Sequence, residues 1–246
     1  WVQALLKSGV TTVLLDSAGA ECGNESSQVS VQAFIGAAHV AGLSVWGGLD
    51  PHHGHGLPLR PEWLSRSLVM KGEMLERLPD PVHPDYQTVI EDRATMLLRA
   101  GCDGILFKAR EAQGYAQDFT EGSFQRFTTA FSLALTPQQL FGSAVGGEAM
   151  VYDRDAAYWR WVGWKARSYA TLALRIRKLI RDVNPAGRLL VEVHGKTVSE
   201  PLTGLEQYGE DLNDLFQRSG GDLVIRAEET KGLALLTQLA QQVGLS

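Results

Sequence analysis

Residues 83–111 read H-P-D-Y-Q-T-V-I-E-D-R-A-T-M-L-L-R-A-G-C-D-G-I-L-F-K-A-R-E. From Thr88 to Ala100 the apolar positions recur at helical spacing, and Gly101 is a stop signal. Gly104–Phe107 then supplies G-I-L-F, with no period-two alternation. A short apolar run of this kind reads as a strand buried on both faces, the habit of parallel sheets. A helix feeding such a strand is one unit of a crossover, and parallel crossovers are right-handed.

The same unit recurs on both sides. Upstream, a helix over Val2–Ser8 stops at Gly9 before the strand Thr11–Leu15. A second helix, Val29–Ala41, stops at Gly42 before the strand Leu43–Leu49. Downstream, the long helix Ala156–Val183 precedes the strand Leu189–Val193. A helix over Leu205–Gln217 precedes Leu223–Ile225, and Leu233–Val243 closes the chain as a helix. Glu62–Leu78 reads as weakly helical, and 111–150 as irregular with a bend at Gly146–Gly147. Strands alternating with helices predict an α/β fold, a TIM-like (β/α) barrel. Five strands are too few for the eight that about 250 residues usually carry, so the barrel is expected to be partial or irregular. An open parallel sheet with flanking helices is the alternative. No repeat, low-complexity tract or linker divides the chain, so 1–246 is expected to be a single domain.

Composition narrows the function. With 44% hydrophobic and 21% charged residues, the 246-residue chain can bury a core and is not disordered in bulk. Its 23 basic against 28 acidic side chains give a net charge of −5, which argues against a general nucleic-acid partner. No apolar run of about 18 residues predicts a membrane span. Cys22 and Cys102 are expected to be unpaired thiols, Cys102 as a small core residue. The chain opens at Trp1 inside a helical stretch, which reads as a piece of a longer chain carrying other domains.

In either architecture, ligands bind at the C-terminal ends of the strands. The informative residues therefore follow the strands. Asp16 and Glu21 follow the first, suited to sugar hydroxyls or acid/base work, or else to turn chemistry. The second runs into Asp50, His52, His53 and His55, with Trp46 inside it as a core residue or a stacking platform for a sugar. His53 and His55, with His194 after the fourth strand, would fit a metal-dependent hydrolase. Lys108 follows the third strand and, if desolvated, would suit Schiff-base chemistry. Arg110, Glu111 and Tyr115 come next, Arg110 and Glu111 pairing with each other. In the long helix, the bland reading of Lys165 and its neighbouring arginines is a basic solvated face.

Taken in order, these segments resemble a known family. G-V-T-T-V-L-L-D-S (9–17), L-S-V-W-G-G-L (43–49), the 83–107 stretch, W-R-W-V-G-W-K-A-R-S-Y-A-T-L-A-L-R-I-R (159–177) and L-E-Q-Y-G-E-D-L-N-D-L-F (205–216) are similar to the C-terminal glycoside-hydrolase-like domain of the periplasmic poly-β-1,6-N-acetylglucosamine deacetylases of biofilm export systems. The resemblance implies a (β/α) barrel with an electronegative groove for a partly deacetylated poly-N-acetylglucosamine. It also implies a periplasmic or cell-envelope location. It makes Asp103 the leading carboxylate of the family's F-D-G-I-L-F-H-D-D-A motif. This sequence departs where that motif places H-D-D: Lys108, Ala109 and Arg110 stand there instead. Glycoside cleavage normally needs two carboxyl groups, so Asp103, Glu111 and Asp16 are the expected catalytic residues. Trp46, Asp50, His53, Lys108, Arg110, Tyr115 and His194 are expected to bind substrate. A basic Lys108–Arg110 groove would suit an acidic glycan, and a non-catalytic glycan-binding module is the further alternative. No cofactor is expected.

Overall fold

The computed structural model describes residues 1–16, 25–54, 58–67, 78–111, 114–141, 154–220 and 222–226. The helix expected over Leu233–Val243, the bend at Gly146–Gly147, Glu21, Cys22 and His55 lie outside the described residues.

Five strands form one parallel sheet: β1 (Thr12–Asp16), β2 (Ser44–Leu49), β4 (Gly104–Phe107), β6 (Arg188–His194) and β7 (Asp222–Arg226), hydrogen-bonded in that order. Spatial order equals chain order, as in a run of successive barrel units, so the described residues make a partial (β/α) barrel. The short β3 (Arg66–Ser67) and β5 (Asp118–Phe119) pair antiparallel in a separate ribbon.

Side chains alternate between the two faces of each strand. Val45 and Leu49 of β2, Ile105 and Phe107 of β4, and Leu189, Val191 and Val193 of β6 turn to one face and are buried. There they meet α2 (Glu25–Val40) through Ile35 and Ala38. Ile90, Leu97 and Leu98 of α3 (Pro84–Arg99) join them, with Leu172, Ala173 and Ile176 of α6 (Ala156–Val183). Each such Val, Leu, Ile or Phe side chain contributes about 1.5–3 kcal/mol on burial. Buried Cys102 packs in the same layer as a free thiol. On the other face Leu14 is still 44% exposed.

Local signals set the boundaries. Pro84 opens α3 in its first turn. Asp155 caps α6 by accepting from Tyr158 N at 2.8 Å. The helix expected over Leu205–Gln217 is two helices, α8 (Pro201–Tyr208) and α9 (Leu212–Ser219). Gly209 breaks it in the left-handed region (φ +73°), and a Cβ there would sit 2.2 Å from the Tyr115 ring. Asp211 then caps α9.

Three further expectations are corrected. Glu62–Leu78 is not a weak helix in its described part: a single 3-10 turn, Pro61–Trp63, leads directly to β3. The 111–150 stretch holds α4 (Glu121–Ala130) and α5 (Pro137–Phe141), the first started by a Thr120–Ser123 capping box. Their Phe124, Phe127 and Phe141 close on Trp161 in a second core. Lys165 is likewise not on a solvated face. It is 1% exposed, and its ammonium donates to the carbonyls of Tyr115 (2.7 Å) and Asp118 (2.6 Å). No helix among the described residues is long and apolar enough to cross a membrane.

Candidate functional site

The strand register assembles the site. Leu106 stands opposite Gly48 on one side and Leu190 on the other. Two residues further along, the same face carries Asp50 after β2, Lys108 after β4 and Glu192 within β6. One row earlier, Asp16 lies opposite Gly48. Four strands thus bring three carboxyl groups around one lysine at the C-terminal edge of the sheet.

Lys108 is the hub. Its Nζ donates to Asp16 Oδ2 at 3.0 Å. Partial burial works against its charge, but the Asp16 hydrogen bond and the negative charges of Asp16, Asp50 and Glu192 outweigh it and raise the pKa above the usual lysine value. The amine is therefore held protonated, which is the wrong state for forming an imine. The Asp16 pairing argues against the desolvated, neutral lysine that the Schiff-base reading needs.

Asp50 has the opposite environment to an ordinary surface carboxylate. Burial pushes its pKa up, assisted by the charge of Glu111. A hydrogen bond from His52 N at 2.8 Å and the charges of His53 and Lys108 only partly oppose that rise. Asp50 therefore keeps its proton to higher pH than a free aspartate. Glu192 Oε2 accepts from Ala109 N at 3.1 Å, which ties the third strand's exit to the fourth. Glu111 is 75% exposed and sits 3.5 Å from the Arg226 guanidinium, rather than pairing with Arg110. Tyr169 of α6 donates to the Lys108 carbonyl at 3.1 Å and fixes the backbone beneath the hub. His52, 3% exposed, stacks on Tyr169 and meets Tyr115 edge-on.

The structure places the remaining expected residues elsewhere. Asp103 is corrected most sharply. It lies at the N-terminal edge, where its Oδ2 accepts from Val45 N (2.7 Å) and Ser44 Oγ (2.9 Å), with His39 Nε2 at 3.2 Å. Burial acts to raise its pKa, but those three partners overcome it and hold the carboxyl below the usual value. A four-residue strand separates it from Lys108, so it does not join the group at the opposite edge.

Arg110 is 4% exposed and ion-paired with Asp118. The basic Lys108–Arg110 groove is therefore absent: Arg110 turns inward, and Lys108 is neutralised by carboxylates. Tyr115 is 1% exposed and packs in the interior. His194 is 1% exposed, with Nδ1 2.7 Å from Glu210 Oε1 and its ring 3.7 Å from that of Tyr208. Glu210 also accepts from His194 N and Thr197 Oγ1. Trp46 lies half-buried on the inner face near the sheet's base, its Nε1 donating to Ser44 Oγ at 3.0 Å. His53 is exposed beside Asp50. Among the described residues no three His, Cys, Asp or Glu side chains converge as a metal site. Cys102 is a free thiol, and Cys22 lies outside the described residues.

Sequence reasoning missed Glu192 because it searched only after the strands. The strand runs three residues past the level at which its neighbour ends, so an internal position stands level with Lys108. The available signal was a lone charge at an inward position of a buried strand, V-E-V-H.

The fold is a partial (β/α) barrel, and its structural neighbours include glycoside hydrolases. The chain is similar in structure to the glycoside hydrolase domain of PgaB (BpsB) from Bordetella bronchiseptica, with a TM-score of 0.57 at 18% identity over 83% of this chain and 58% of that one. A β-galactosidase from the psychrophilic Marinomonas ef1 gives a TM-score of 0.63 at 10% identity, over 93% of this chain and 38% of that one. The catalytic domain of a β-amylase from Paenibacillus polymyxa gives 0.51 at 12% identity, over 99% and 79%. The chain thus spans little more than half of the first and under two fifths of the second. No family model matches the sequence, and no curated protein is detectably similar to it.

Proposed function

We propose that this domain holds an amino-sugar polysaccharide of the poly-N-acetylglucosamine type across the C-terminal edge of its sheet and cleaves it there. Asp50 acts as the proton donor and Glu192 as the facing base. The observation that carries this reading is the half-buried carboxyl group of Asp50, level with Lys108 and with its pKa raised by desolvation, while Asp16 and Glu192 flank the same lysine. A glycosidic oxygen needs a proton from an acid of raised pKa, and the second carboxylate works across the bond. Two strand spacings, about 9–10 Å of backbone, separate the strands that carry Asp50 and Glu192, and the separation of the two carboxyl groups themselves sets retention against inversion.

Charge supports the substrate class. Asp16, Asp50, Glu111 and Glu192 face Lys108 and Arg226 at this edge, an excess of carboxyl groups that suits glucosamine units bearing free amines. His53 is exposed alongside to meet the chain. Asp16, paired with Lys108, is assigned to sugar hydroxyls, and Glu111 to the rim. The place of action is the periplasm or cell envelope, where such a polymer is exported, with other domains of a longer chain as neighbours.

A second reading is binding without turnover, favoured by the lysine that stands where the resembling family has H-D-D. Incubating the protein with partly deacetylated poly-N-acetylglucosamine separates the two. Release of oligosaccharides that vanishes in Asp50→Asn supports cleavage. Retained affinity with no release supports the binding module. Neither binding nor release overturns the assignment.

A further inference from the structure

We propose that the opposite, N-terminal edge of the sheet carries a second binding site, for a small dianion, a phosphate monoester or inorganic phosphate or sulfate. A cleft of about 340 Å³ opens there between the last turns of α6 and the starts of β6 and β7. Arg177, Arg181 and Arg188 line it, over an apolar floor of Ile180 and Leu189. The volume lies at the small end of ligand sites and matches a phosphorylated monosaccharide or smaller.

The charges do not close on themselves. Arg188 is ion-paired with Asp222, the one acid in the lining. Among the described residues neither Arg177 nor Arg181 makes an ion pair. Three guanidinium groups against one carboxylate leave two positive charges, in a chain whose net charge is −5. Arg177 and Arg181 are four residues apart on α6, so the two like charges share one side of the helix and repel until an anion lies between them. Guanidinium forks bind phosphate and sulfate oxygens two at a time, whereas an ammonium binds them as a point charge.

The backbone makes room for this arrangement. A Cβ on Gly220 would fall 1.6 Å from Arg177 Nη1, so only glycine lets that guanidinium lie against the end of α9. The competing explanation is that both arginines merely offset the negative C-terminal end of α6. That role needs no ligand and makes no distinction between anions.

Calorimetric titration of the whole chain at low salt tests the site, with inorganic phosphate, sulfate and glucose 6-phosphate as probes and acetate and glucose as controls. The expected result is saturable binding of the three dianions, glucose 6-phosphate the tightest, with no binding of glucose. Arg177→Gln/Arg181→Gln is expected to weaken it at least tenfold, and Asp50→Asn to leave it unchanged. Circular dichroism confirms that the double variant folds. If it does not, Arg177→Lys/Arg181→Lys keeps the charges while removing the forks, and is expected to weaken binding as well. Equal heats from acetate and phosphate, or undiminished binding in the variants, would overturn the proposal. So would a wild-type chain that binds no dianion.

Discussion

Asp50 and Asp103 sit at the two ends of one parallel sheet, and the chain gives the same side chain two different chemistries. Asp103 is ringed by donors, one main-chain N–H, one hydroxyl and one imidazole, which hold its carboxyl in the charged form. It stitches the entry of β2 to that of β4. Asp50 is half-buried with a single main-chain donor, and desolvation raises its pKa. A carboxylate saturated with hydrogen bonds is scaffold. One that is desolvated and under-bonded retains a proton to give away.

The largest expected effect lies at the C-terminal edge, where the proposed site sits. Asp50→Asn and Glu192→Gln should each cut oligosaccharide release by roughly 10²–10⁴-fold, the usual contribution of an acid or base. Asp103→Asn should leave release within a few fold. Equal losses at both ends would erase the distinction. Next in size is stability. Asp103→Ala unpairs Val45 N and Ser44 Oγ and should cost roughly 1–3 kcal/mol in urea unfolding. The contribution of this carboxyl is present above the unfolded pKa and is lost as pH falls through its lowered folded value. For Asp50, whose folded pKa is raised, stability is greatest below the unfolded value near 3.8 and is lost as pH rises through the folded one.

Smaller effects sharpen the cause of the Asp50 shift. Its alkaline limb in a pH–rate profile should move up in Lys108→Met, which removes a charge that lowers the pKa. It should move down in Glu111→Gln, which removes one that raises it. Movement in the same direction in both variants would contradict the assigned charges. The smallest effect belongs to His39→Ala. That residue is 38% exposed and its contact with Asp103 is open to solvent, so unfolding should shift by no more than about 1 kcal/mol.

The fold was legible because its strands are continuous apolar runs and many of its helices end at glycines. Gly104–Phe107 and Ala156–Val183 come out at the bounds their patterns predict. The break at Gly209 was hidden by apolar spacing that runs through it, since one left-handed residue leaves the pattern intact. The site was half legible. Asp16, Asp50 and Lys108 follow strands and meet, as that rule says they should. Asp103 was misplaced by resemblance alone: it precedes its strand, and the position before a parallel strand lies at the wrong edge. Glu192 needed the register between β4 and β6, which is a property of pairing and not of either segment. Arg110 and His194 look solvent-facing in sequence, yet Asp118 and Glu210 draw them inward.

The most direct test is a carbon-13 NMR titration of the aspartate carboxyl groups, with and without a partly deacetylated glucosamine oligosaccharide. Asp50 should titrate above 3.8 and Asp103 below it. Added oligosaccharide should move only the Asp50 signal. A ligand-induced shift confined to Asp103, or an Asp50 that titrates below Asp103, would contradict the placement of function at the C-terminal edge.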